Sequence, residues 1–273
     1  MSTESASEAI DLDWRMPPLR EATVLGRRIA YYEKGGGPAL VLAHGFSGSA
    51  AFEWGRVFDL LAEHHRVVAP QLVGFLPSEQ PDMTYSTDAQ LVHLSAFLAE
   101  LGLAGCTLAG ESYGGWLVAA YAARAAEPGS TLTHAGRYAI LCGAVGVIRT
   151  GDAPPAPRAP PDTPLWRAIL KRLPALNPHD AENNPIRLKI FAESDLGRGW
   201  PDAPALGRID RPVLLLWGED DDLVPVQYGR AAAVVIPGSR LVVLPGVGHI
   251  PSIDAPRDFV RILSDFAAGA EGA

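Results

Sequence analysis

At 273 residues, with 48% apolar and 20% charged side chains, the chain can bury a sizeable core and has an ordinary globular balance rather than a disordered one. Its net charge of -8 gives no electrostatic footprint for nucleic acid or an anionic membrane and says little about a substrate; a small molecule is the expected partner and a second copy of the chain a further candidate. Cys106 and Cys142 both fall inside apolar runs, without CxxC or metal-ligand spacing, so no disulfide, metal or cofactor is implied. The start, MSTESASEAIDLDWR, is polar and acidic and lacks the features of a secretory leader. No run approaches the roughly 20 apolar residues of a membrane span, and a cytoplasmic protein is expected.

From about residue 22 the chain alternates short β-rich runs with longer amphipathic stretches, the pattern of a mostly parallel sheet covered by helices. ATVLGRRIAYYEKG reads as two antiparallel strands around Gly26-Arg27, and PALVLAHG (38–45) as a buried strand. A helix is expected from Glu53 to His64, followed by strand RVVAPQ (66–71). Leu91, Leu94, Leu98 and Leu101 stand at helical spacing within a helix from Ser86 to Leu101. Strand CTLAG (106–110), a helix from Gly114 to Ala126 and strand RYAILCGAVG (137–146) come next. The stretch 151–164 then holds six prolines in fourteen residues, which excludes regular helix and central strand. Short helices are expected at Leu165–Leu173 and Pro185–Ala192. The alternation resumes with strand PVLLLWG (212–218), a helix over Val226–Val235, strand RLVVLPG (240–246) and a helix over Pro256–Ala268. Residues 147–207 thus read as an insertion late in a sheet domain, and Trp166 and Trp200 favour a packed lid over a disordered linker.

Gly110-Glu111-Ser112-Tyr113-Gly114 falls where one expected strand ends and the next expected helix begins. A sharp strand-to-helix turn holds such a serine in a strained backbone conformation with its hydroxyl projecting, and the helix N-terminus aims its amides at the same spot. A serine hydroxyl needs a base. Of seven histidines, His249 stands in the loop after strand RLVVLPG, downstream of the serine and of an acidic loop, matching the chain order serine, acid, histidine. Five more, His64, His65, His93, His134 and His179, read as surface or packing residues. The acid is expected from Glu219-Asp220-Asp221-Asp222, among which spacing does not choose. Backbone amides of Phe46 and Tyr113 are the candidate oxyanion hole, with His44 fixing the first loop by hydrogen bonding.

With HGF (44–46), GESYGG (110–115), WGEDDDLVP (217–225) and GHIPSIDAP (248–256) in this order, the chain resembles the α/β-hydrolase superfamily over about residues 22–268. The resemblance implies a mostly parallel eight-stranded sheet with a small cap inserted after the sixth strand. That divides the chain into a tail (1–21), a core (22–146 and 208–273) and a cap (147–207). It also selects Asp221 as the acid, with Asp220 in reserve. Within the superfamily the chain looks most like the group of small esterases, meta-cleavage-product hydrolases, epoxide hydrolases and haloalkane dehalogenases. The serine argues against the last two, which use aspartate. The stretch Ala69–Ser78 departs from the family pattern at Gln71, Leu76 and Pro77.

The expected activity is hydrolysis of a carboxylic ester, lactone or thioester through an acyl-enzyme, with Ser112 as nucleophile, His249 as base and Asp221 as orienter. Trp116, Trp166 and Arg187 are candidate substrate-facing residues. The rival is carbon–carbon bond hydrolysis, in which Arg187 or Arg167 would pair a substrate carboxylate. A lyase, cyclase or receptor on the same fold is a third class. A carboxylate at Glu111 is unwelcome beside an anionic dienoate and favours the ester reading.

Overall fold

Leu25 and Gly26 take positive φ (50° and 74°) and turn the chain tightly between β1 (Arg20–Val24) and β2 (Arg27–Lys34), as a two-residue hairpin requires. These strands form one edge of the sheet in a computed structural model that describes residue 14 and residues 16–143 and 163–269. The remaining strands are β3 (Ala39–Ala43), β4 (Arg66–Pro70), β5 (Thr107–Glu111), β6 (Arg137–Leu141), β7 (Val213–Gly218) and β8 (Arg240–Leu244). They form one eight-stranded sheet in the order β1-β2-β4-β3-β5-β6-β7-β8. Strand β2 is antiparallel to both its neighbours and every other pair is parallel.

Helices cover both faces, so the central strands carry apolar residues on each side. On one face Val41, Leu108, Ile140 and Trp217 pack with α3 (Thr87–Glu100), α4 (Tyr113–Ala125) and α8 (Gln227–Val235). On the other, Leu40, Leu42, Ala109 and Leu214 pack with α1 (Ala50–Trp54), α2 (Phe58–Ala62) and the C-terminal helix Pro256–Ala268. The single helix expected over Glu53–His64 is the pair α1 and α2. The break falls at Gly55-Arg56-Val57, where a glycine and a β-branched residue weaken the helix.

Between β6 and β7 the chain forms α5 (Pro164–Leu176), α6 (Asn184–Glu193), a 3-10 turn (Leu196–Arg198) and α7 (Ala203–Leu206). Thr163 caps α5 by accepting the Trp166 amide. Trp166 and Ile169 bury against Trp14, Phe52 and Ile253, the last on α9 (Pro251–Asp254). Ile186 and Ile190 of α6 join the main core. The C-terminal helix, Pro256–Ala268, is α10. The proline-rich residues 151–162, the expected strand end 144–146 and residues 1–13 lie outside the described residues. Among the described residues no helix is long and apolar enough to cross a membrane.

The strand-to-helix turn after β5 fits only because Gly114 has no side chain: a Cβ there would lie 2.1 Å from the Ala43 carbonyl oxygen of β3. Gly114→Ala is expected to destabilise the fold by at least about 2 kcal/mol, as overpacking of a rigid site does, read from urea denaturation.

Candidate active site

Ser112 sits between β5 and α4 with φ 57° and ψ -122°, a conformation that costs an L-residue on the order of 1–3 kcal/mol. It is pinned from both sides: its amide donates to the Leu141 carbonyl (3.0 Å), and its carbonyl accepts the Trp116 amide (3.1 Å). The side chain consequently leaves the turn toward the ends of β7 and β8 rather than into the sheet.

His249 arrives from the loop after β8, its Nε2 3.0 Å from Ser112 Oγ and its Nδ1 2.8 Å from Asp221 Oδ2. A carboxylate only accepts, so Nδ1 carries the proton, and Nε2 is left to accept the Ser112 hydroxyl. Asp221 Oδ1 accepts the amides of Leu223 (3.0 Å) and Val224 (2.8 Å), which fixes the carboxylate. Of the four successive acids only Asp221 is buried and reaches His249, while Glu219, Asp220 and Asp222 are exposed.

The loop after β3 passes over Ser112. A Cβ on Gly45 would meet Ser112 Cβ at 2.8 Å, so only glycine lets the loop come this close. Phe46 follows, and its ring stacks on Tyr113 (4.3 Å between centroids, 7° between planes). Among the described residues neither the Phe46 nor the Tyr113 amide has a hydrogen-bond partner, so both remain available as donors. His44 holds the loop, accepting the Leu72 amide at Nε2 (3.1 Å) with Nδ1 2.8 Å from the Gly45 carbonyl. Burial pushes its pKa down to about 4, which keeps the ring neutral and able to make both contacts.

Every carbonyl from 46 to 48 is taken by a side chain from the segment between β6 and β7. Arg187 donates from Nε to the Phe46 carbonyl (2.6 Å) and from a terminal nitrogen to that of Ser47 (2.8 Å). Asn177 also reaches the Ser47 carbonyl (2.6 Å), and Asn183 that of Gly48 (3.2 Å). Gln71 completes the brace: its amide nitrogen donates to the carbonyls of Gly48 and Leu76, and its oxygen accepts the Ala50 amide. The glutamine that departs from the family pattern therefore serves as both donor and acceptor, which an aspartate could not do.

Several expectations change. Arg187 faces the loop after β3 rather than open space. It makes two further bonds to Asp180, which leaves its fork occupied by protein and removes the basis for assigning it a substrate carboxylate. Arg167 is exposed on the outer side of α5, opposite the buried Trp166 and Ile169. Trp116 is fully buried, stacked on Tyr113, with its indole N–H bonded to the Trp200 carbonyl (2.7 Å); it packs the core rather than offering surface. Trp166 is likewise buried, its indole N–H donating to Asp254 (3.0 Å), whose other oxygen accepts the Gly248 amide beside His249. Glu111 is fully buried against Ser252, so it gives no grounds for preferring one substrate over another.

Sequence reasoning missed Glu53, which accepts the Gly45 amide (2.7 Å) and the Ser47 hydroxyl (2.6 Å), as well as Asn177, Asn183, Ser252 and Asp254. Glu53 lies only eight residues from Gly45, and an acid inside an apolar helix turn (AAFEW) was the one local signal. Ser252 and Glu111 are 141 residues apart, and no local pattern links them.

The family model described as alpha/beta hydrolase family matches residues 40–262. The 2-hydroxy-6-oxo-2,4-heptadienoate hydrolase of Pseudomonas putida is 30% identical over 88% of this chain and 92% of its own length. Lipase 3 of a Moraxella species is 26% identical over 89% of this chain and 82% of its own. Among solved structures, a bacterial membrane phospholipase A superposes with a TM-score of 0.72 at 25% identity, covering 94% of this chain and 87% of that one. A serine hydrolase involved in carbazole degradation superposes with a TM-score of 0.76 at 20% identity, covering 92% and 98%, a likeness of fold. The chain therefore belongs to the alpha/beta hydrolase family.

Proposed function

We propose that the chain is a serine hydrolase of carboxylic esters, lactones or thioesters, carried by one observation: the unbroken hydrogen-bond chain from Asp221 through His249 to Ser112. His249 takes the hydroxyl proton as Ser112 Oγ attacks the acyl carbonyl carbon, and Asp221 stabilises the imidazolium. Charge developing on the carbonyl oxygen is met by the amides of Phe46 and Tyr113. Collapse expels the alcohol or thiol, which leaves with the proton from His249, and an acyl-serine remains. Water then attacks that ester with His249 again as base, releasing the acid and restoring Ser112.

In this reading residues 147–207 form a cap, which supplies Asn177, Asn183 and Arg187 to the oxyanion loop and, through Trp166 and Asp254, a hold on the histidine loop. Carbon–carbon hydrolysis is the second reading, favoured by the 30% identity to the heptadienoate hydrolase. The ester reading stands ahead of it because the cap's Arg187 is already engaged by protein oxygens.

Ser112→Ala is expected to lower hydrolysis of a p-nitrophenyl ester at least about a thousandfold. Near wild-type turnover in that variant contradicts the serine mechanism, and bleaching of a dienoate with no ester turnover selects the second reading. Arg187→Ala is expected to lower kcat on a neutral ester by about tenfold to a hundredfold with KM little changed, because it loosens the loop and not the substrate. A rise in KM confined to anionic substrates would instead make Arg187 a substrate ligand.

A further inference from the structure

Two carboxyl groups lie buried directly behind the nucleophile, and the mechanism above uses neither. Glu111 precedes Ser112 at the end of β5, and Glu53 stands on α1 beneath the oxyanion loop; both are withdrawn from solvent. Ser252 of α9 lies between them. Its Oγ is 2.7 Å from Glu111 Oε2 and 3.0 Å from the backbone carbonyl of Glu53.

A serine hydroxyl has one proton to donate. The Glu53 carbonyl can only accept, and so can an ionised Glu111, so that one proton would have to serve two acceptors at 2.7 and 3.0 Å. The Ser252 amide adds a long contact to Glu111 Oε1 (3.5 Å). Both contacts of the Ser252 hydroxyl are full hydrogen bonds only if Glu111 donates one of them. The hydrogen bonds then run from the Glu111 acid O–H to Ser252 Oγ, and from the Ser252 O–H to the Glu53 carbonyl. Glu53 has one carboxyl oxygen on the Gly45 amide and the other on the Ser47 hydroxyl, contacts that pull its pKa down against the larger effect of burial.

We propose that Glu111 is a positioning residue that works as a protonated acid, tying the nucleophile turn through Ser252 to α1 and so to the Glu53-braced oxyanion loop. The charged groups facing it agree with a neutral form. Glu53 from α1 and Asp254 from α9 both oppose a charge on Glu111, and the buried Cys142 thiol faces it from the end of β6. Arg56 and His249 act on Asp254. Burial, and after it the neighbouring Glu53, pushes the Glu111 pKa well above the ordinary carboxylate range; burial raises that of Glu53 to about 8.

The sign of the consequence follows. Unfolded, each carboxyl loses its proton near pH 4.5; folded, it keeps it. Stability from the pair is therefore complete below about pH 4.5 and falls as pH rises toward the folded values. Each retained proton lowers the folding constant about tenfold per pH unit in that window.

The test compares wild type with Glu111→Gln and Glu111→Ala by urea denaturation from pH 5 to 8 and by p-nitrophenyl ester turnover. Glutamine keeps a donor toward Ser252 and cannot ionise. Its folding constant is expected to fall less steeply than that of wild type, by about tenfold per pH unit. A slope equal to wild type's overturns the proposal. For turnover, which rests on the ester reading, glutamine is expected to stay within about threefold of wild type and alanine to fall at least about tenfold, because only glutamine restores the tie to Ser252. A folded glutamine variant as impaired as alanine overturns the positioning role. If no variant, wild type included, turns over any ester, the reading of the activity fails while the denaturation slopes still decide the state of Glu111.

Discussion

The proposed active site hangs on a backbone conformation that Ser112 would not adopt by itself. Its φ of 57° is maintained because the turn is over-determined: β6 takes the Ser112 amide, α4 closes on its carbonyl, and Gly114 lies against the Ala43 carbonyl with no room for a side chain. A strain of on the order of 1–3 kcal/mol is offset by the packing of four elements around one residue. The return is direction. The hydroxyl is presented at the ends of β7 and β8, where His249 and Asp221 stand in line.

The opposite wall of the site is a loop, and a loop has to be held from outside itself. Residues 44–48 are held by three different kinds of group. His44 is kept neutral by burial and bridges to Leu72. Glu53 takes the amide before Phe46 from below. Gln71, Asn177, Asn183 and Arg187 take the carbonyls from above. Three of these four belong to the segment between β6 and β7, and Trp166 ties the same segment, through Asp254, to the amide beside His249. A shift of these helices would thus disturb the loop over Ser112 and the loop of His249 together.

What was legible in the sequence and what was not divides along the range of the interactions. The strands at 38–45, 106–110 and 212–218 are continuous apolar runs because both of their faces are covered, and that is written locally. Ser112 and His249 stand out because strand ends and the order of the chain mark them. Asp221 needed the family pattern, since four adjacent acids look alike until one of them is buried. The aromatic residues Trp116 and Trp166 look the same in a sequence whether they line a pocket or pack a core; here both pack. Arg187 was visible as a cation in the right segment, but its partners are backbone carbonyls about 140 residues away, which no spacing records. Glu111 was read as a charge. Its burial, with Glu53 brought beside it from another element, is what favours the protonated acid, and neither is written near residue 111.

Whether Ser112 is a nucleophile activated by His249 is tested most directly by intact-mass and peptide mapping after treatment with a fluorophosphonate. A single adduct is expected on Ser112, one that no longer forms in His249→Ala. No adduct, an adduct on another residue, or undiminished labelling of Ser112 in that variant would contradict the serine mechanism.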